Sequence, residues 1–128
     1  MGNGTPIGRV RGLGTAHEGA HHWMTQRFTA IGNLVLMSYL VVSFALLGDF
    51  GYASMVKWLS QPVAATAVIL LIVSVFWHAR LGIQVVIEDY MVDAGTKFAA
   101  IAALNLATIG GGAFGIFSVA ALAFGGNA

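Results

Sequence analysis

Charged side chains are absent from three long stretches of this chain. Phe28 to Gly48 is 21 residues without Asp, Glu, Lys or Arg, Trp58 to Ala79 is 22, and Phe98 to Ala128 is 31. A hydrocarbon core about 30 Å thick takes about 20 apolar residues as a helix, so each stretch is long enough to cross a bilayer. The pattern predicts an all-α membrane protein with transmembrane helices over 27–47, 61–89 and 98–122. Composition closes the alternatives. Of the 128 residues, 58% are hydrophobic and 9% charged, and mean hydropathy is +0.82. A soluble globule carries about 25% charged residues to cover its surface. A net charge of +1 leaves no basic footprint for nucleic acid. The absence of cysteine excludes disulfides, cysteine-ligated metal and thiol catalysis.

The connections carry turn chemistry. Gly48-Asp49-Phe50-Gly51 follows the first span and Asp93-Ala94-Gly95 precedes the third. Pro62 suits the first turn of the second span, where its missing N–H costs little. Residues 1–22 read as a polar, glycine-rich arm, flexible or partner-bound, with no sign of a cleaved secretory signal. Arg9, Arg11 and Arg27 flank the first span, against single lysines, Lys57 and Lys97, in the two loops. Arginine-rich flanks stay cytoplasmic, so the N-terminus is expected inside and the C-terminus on the periplasmic side. The whole of 1–128 is expected to form one anchor domain. In the third span, Gly110-Gly111-Gly112 and the Gly111…Gly115 spacing would let helix backbones approach closely, or would loosen or kink the helix. Asn105 in the same span is expected to make a packing hydrogen bond.

The chemistry concentrates at the end of the second span, in His78 through Tyr90. An imidazole in a bilayer needs a partner, and intramembrane ionisable groups are functional candidates by default. His78 suits three roles: axial ligand to a haem iron, proton relay, or interhelical hydrogen bond. No second intramembrane histidine exists in the chain, so a haem would need its other ligand from another subunit. Gly82 lies one turn beyond His78 on the same face, where a missing side chain would admit a flat macrocycle. Asp89 lies within about 20° of His78 around the helix and about 16 Å further along it. Glu88-Asp89-Tyr90 admits two readings. They are ordinary helix-end residues at an interface, or a quinone-head site in which Tyr90 donates a hydrogen bond and the acid orients it.

A second cluster, Gly19 through Arg27, lies at the inner mouth of the first span. Arg27 serves either as a simple positive anchor or as a partner for an anion such as a haem propionate or lipid phosphate. His21 and His22 point about 100° apart on a helix, which disfavours a chelate from both. Arg80 is about 200° round from His78 and about 13 Å from Asp89. It is expected to snorkel to the headgroups or to pair with an acid on a partner subunit.

Two segments carry a family resemblance. Gly12-Leu13-Gly14 with Gly19-Ala20-His21-His22-Trp23 and Gln26-Arg27-Phe28-Thr29-Ala30 resembles the lead-in to the first helix of the small membrane-anchor subunit of succinate dehydrogenase (respiratory complex II), the D or cytochrome b small subunit. His78, Gly82 and Asp89-Tyr90 resemble that family's histidine, glycine and Asp-Tyr pattern, in its alphaproteobacterial and mitochondrial style. The resemblance covers most of residues 9–100. It implies half of a heterodimeric helical bundle, completed by a second membrane-anchor (cytochrome b-type) subunit, beneath an iron–sulfur subunit and a flavoprotein subunit. It implies a bacterial or mitochondrial inner-membrane location, one shared haem b, and ubiquinone as electron acceptor, with no catalytic residue in this chain alone. A higher oligomer of the heterotetramer stays open. His78 takes the axial-ligand position, Tyr90 and Asp89 the quinone positions, and Arg27 and His21 positions associated with the haem propionates. Arg80 departs from relatives that carry an aromatic residue there. A fumarate reductase anchor shares the same architecture. A cofactor-free structural subunit is the alternative from another class. Proton conduction is disfavoured, because no relay of ionisable groups leads to the outer side.

Overall fold

The structure, a computed structural model, describes residues 17–125. The described residues form four helices: α1 (His17–Leu47), α2 (Tyr52–Leu59), α3 (Pro62–Tyr90) and α4 (Ala94–Gly125). Three of them are long and apolar enough to cross a membrane. In lipid every backbone polar group must be satisfied within the chain, and a continuous helix does this without outside partners. α3 is central, with α1 on one side and α4 on the other.

The long helices overrun the predicted spans where the chain leaves the apolar core. α1 begins at His17 rather than near 27, so residues 17–22 of the expected arm are helical. Residues 1–16, including Arg9 and Arg11, lie outside the described residues. α4 begins at Ala94 and runs to Gly125, against an expected 98–122. Counting apolar residues finds the lipid-facing part of a helix, whereas the backbone ladder continues into polar sequence until a cap stops it.

The caps are legible. Gly48 adopts φ +69, the left-handed turn that terminates a helix without a Cβ clash, just after α1. Asp49 then accepts hydrogen bonds from Ser54 Oγ at 2.5 Å and from the Gly51 N–H at 3.0 Å. These bonds hold its carboxyl below the usual carboxylate range, the Ser54 hydroxyl contributing most. Pro62 stands in the first turn of α3, as expected. Asp93 caps α4 by accepting from the Thr96 N–H at 2.7 Å and the Thr96 hydroxyl at 2.8 Å. The first connection differs from expectation in holding α2. This short helix buries Trp58 against Phe44, with ring centroids 5.2 Å apart, and leaves Lys57 exposed.

The interior is thin. Among the described residues the buried apolar ones are Trp58, Ala64, Ala67, Leu71, Leu81 and Val119, while residues such as Phe28 (78% exposed) and Phe124 (85%) face outward. Between α3 and α4 the fit is close. A Cβ on Gly111 would lie 2.6 Å from the Phe76 ring, and one on Gly115 would lie 3.3 Å from Ile72. The small-residue spacing is therefore used for packing within the chain, and α4 runs unbroken through Gly110–Gly112.

Candidate functional site

α1 and α3 meet through polar atoms. Ser74 Oγ donates to the Thr29 carbonyl at 3.2 Å, and Thr29 Oγ1 lies 3.0 Å from His78 Nδ1. The Thr29 hydroxyl has one proton, which it shares between the carbonyls of Thr25 at 2.9 Å and Gln26 at 3.0 Å, on its own helix. Toward His78 it therefore presents a lone pair. With its proton on either carbonyl, the contact has the imidazole donating from Nδ1, which leaves Nε2 with its lone pair available. This is the tautomer a metal-binding histidine needs, with the second nitrogen held by a fixed partner. Thr29 belongs to the segment that carries the family resemblance, yet its place in the sequence gives no hint of this contact. The partners are 49 positions apart and meet only through the helix–helix register.

One turn beyond His78 a groove of about 440 Å³ opens between the two helices, lined by His22, Trp23, Gln26, Arg27, Gly82 and Val85. Arg27 lies over the Trp23 ring, its Cζ 4.1 Å from the centroid. Gln26 Oε1 is buried with no hydrogen-bond partner, and so is Asn33 Oδ1 further along α1. A Cβ on Gly82 would meet only Gln26 Nε2, at 3.6 Å, an ordinary contact. Nothing among the described residues requires glycine there. The groove thus combines an open backbone, an orphaned amide oxygen and a cation, beside a histidine whose Nε2 has no partner among the described residues. This donor set fits a flat, metal-centred, anionic macrocycle. Among the described residues no group of three or more His, Cys, Asp or Glu could hold a metal ion, so His78 can supply only a single ligand.

The other predicted residues are distributed as follows. α3 is continuous from Pro62 to Tyr90, so Asp89 and Tyr90 keep their helical register with His78. Both are exposed at its C-terminal end, Tyr90 at 82%. Glu88 is engaged instead: Gln84 Nε2 donates to its carboxylate at 2.7 Å and Lys97 Nζ to its carbonyl at 3.0 Å. His21 is exposed and lines a neighbouring crevice of about 250 Å³ with Trp77 and Arg80, while His22 lines the groove that holds Arg27. Arg80 makes a contact inside this chain that the sequence reading missed. Its Nε donates to Asn105 Oδ1 on α4 at 2.5 Å, and its Cζ lies 5.5 Å from the Trp77 ring centroid. The polar residue expected to make a packing hydrogen bond is thus the partner of the cation left without one.

The family model described as succinate dehydrogenase/fumarate reductase transmembrane subunit matches residues 1–112. The chain belongs to this family. Among similar proteins, a succinate dehydrogenase hydrophobic membrane anchor subunit of Rickettsia bellii is 37% identical over 86 residues, 66% of this chain and 68% of the relative. One from Paracoccus denitrificans is 32% identical over 99 residues, 76% of this chain and 74% of the relative. The succinate dehydrogenase membrane anchor subunit of Reclinomonas americana is 30% identical over 95 residues, 72% of this chain and 79% of the relative. No solved structure matches the chain significantly. Like the anchor subunits it resembles, the chain is a multi-pass membrane protein. The family expectation drawn from His78, Gly82 and Asp89-Tyr90 is met, as is the expected all-helical fold.

Proposed function

We propose that this chain anchors a succinate:quinone oxidoreductase in the inner membrane, ligates one haem b through His78 and helps bind ubiquinone through Tyr90 and Asp89. The observation that supports the reading is the Thr29–His78 contact, which turns Nδ1 toward a fixed partner and leaves Nε2 without one among the described residues. Haem b, when bound, supplies a one-electron redox centre in the bilayer. Thr29 fixes the ring, Gly82 keeps the groove open, and Arg27, with His21 or His22 nearby, neutralises propionate charge. The amide of Gln26, with its oxygen unpaired, faces the same groove. A companion anchor subunit would supply the other ligand to the haem iron, and electrons from succinate would arrive through a flavoprotein and an iron–sulfur subunit. Quinone reduction takes up two electrons and two protons. Tyr90 donates a hydrogen bond to a quinone carbonyl, and Asp89 beside it orients and polarises that donor. The positive charge of Arg27 and its flank supports a cytoplasmic location for this end of the bundle.

Replacing His78 with Gln tests the ligand. The bis-histidine optical spectrum of the purified complex is expected to be lost or altered; an unchanged spectrum refutes the assignment. Tyr90→Phe is expected to depress quinone reduction while succinate oxidation by an artificial dye continues. Equal loss of both would indicate failed assembly. The family covers fumarate reductase as well, and the quinone that copurifies discriminates the two directions.

A further inference from the structure

We infer that the groove between α3 and α4 is a binding site for one anionic glycerophospholipid, with its phosphate on Arg80 and an acyl chain along Val73, Ala113 and Ile116. Its apolar length lies on the α4 side of α3, away from the His78 groove, while Arg80 and Trp77 also border the crevice that holds His21 and His22; the proposal does not rest on the haem or quinone assignments. It encloses about 520 Å³ and is lined by Val73, Trp77, Arg80, Asn105, Ala113 and Ile116, among others.

Three observations point to this occupant. The first is depth. Pro62 and Arg80 are about 27 Å apart along α3, close to the thickness of a ~30 Å hydrocarbon core. No charged side chain lies between them. Arg80 therefore marks the level at which the headgroups begin, beside the interfacial aromatic Trp77. The second is charge. Arg80 is held by a neutral amide through Nε and by the Trp77 ring, and no carboxylate among the described residues pairs with it. Its outer N–H groups form the fork that matches a phosphate, at a level where the phosphodiester is the abundant anion. The third is shape. From Asn105 to Ile116 the groove follows α4 for about 16 Å, the depth of about one leaflet, and its far walls are apolar. A site cationic at one end and apolar along the rest matches a lipid. A transmembrane helix of a partner would leave the cation without an anion unless it brought its own.

The test uses the complex as purified, delipidated and reconstituted into nanodiscs of phosphatidylcholine with added phosphatidylglycerol. Native mass spectrometry after re-extraction counts the phosphatidylglycerol retained. Wild type is expected to retain one molecule per copy of this chain. Arg80→Gln is expected to reduce retention about tenfold, the effect of one charge-assisted contact. Ala113→Leu, which fills the groove and leaves Arg80 intact, is expected to reduce it as well, and it keeps the test decisive if Arg80→Gln fails to fold. Inorganic phosphate is expected not to displace the lipid. Equal retention in wild type and both variants overturns the proposal, and displacement by phosphate reduces the site to an anion subsite and overturns it too. A cross-link from position 113 to a companion helix puts protein in the groove and has the same consequence. A haem spectrum altered by Arg80→Gln would assign Arg80 to the other side of α3 and equally overturn it.

Discussion

The two faces of α3 are built on opposite principles. Toward α4 the contact is apolar and closely dovetailed, with Phe76 seated on Gly111 and Ile72 against Gly115. Its polar groups find partners within the chain, Arg80 on Asn105 and Lys97 on the Glu88 carbonyl. Toward α1 the contact is polar and incomplete. Thr29 and Ser74 tie the helices together, yet Gln26 Oε1 and Asn33 Oδ1 are buried without partners and a groove stands open beside Gly82. A buried unpaired polar atom costs about 1–3 kcal/mol, so such a surface survives where something else completes it. The α3–α4 face holds the hairpin together; the α1–α3 face keeps polar atoms unpartnered beside an open groove.

That contrast can be broken most severely at Gly111. Gly111→Leu is expected to prevent accumulation of the chain in membranes, because its first carbon already collides with Phe76. Gly111→Ala is expected to destabilise by about 1–3 kcal/mol, the usual cost of overpacking. Adding Phe76→Leu should restore much of it, as measured by thermal unfolding in detergent.

The α1–α3 face should respond in cofactor content rather than in protein yield. Thr29→Val removes the hydrogen-bond partner of His78 Nδ1 at constant shape. It is expected to lower haem retention about 10- to 100-fold, as loss of a metal ligand's hydrogen-bond partner does elsewhere. Thr29→Ser should preserve it. Haem per protein and the reduction midpoint are the readouts, and a Thr29→Val protein with both unchanged would remove Thr29 from the site.

Gly82 sharpens the comparison further. Its added Cβ meets no obstacle among the described residues beyond Gln26 at 3.6 Å. Gly82→Val is therefore expected to leave accumulation normal while lowering haem content, the reverse of the Gly111 result. The smallest effect is expected at Asp93. The Thr96 backbone N–H, then its hydroxyl, hold this carboxyl below the ordinary carboxylate range. Its capping contribution is present above the unfolded pKa and is lost as pH falls through the lower folded value. Asp93→Ala should slightly lower the unfolding midpoint at neutral pH and flatten its decline in acid.

The length of the charge-free stretches determined the three crossings, because lipid leaves a backbone little choice but helix. Pro62, Gly48 and Asp93 marked helix ends through chemistry confined to a few neighbouring residues. The alignment of His78, Gly82 and Asp89 on one helix was equally readable, since the angle between residues of a continuous helix depends only on their separation. Other features depended on how the helices settle against one another. The Thr29 partner of His78, the seat of Phe76 on Gly111 and the pairing of Arg80 with Asn105 join residues 25 to 49 positions apart. Their meeting is fixed by inter-helix register, a property of packed surfaces. The helix at Tyr52–Leu59 was missed for a related reason. It is too short to be stable by itself and is held by burial of Trp58 against Phe44, a contact made across the fold.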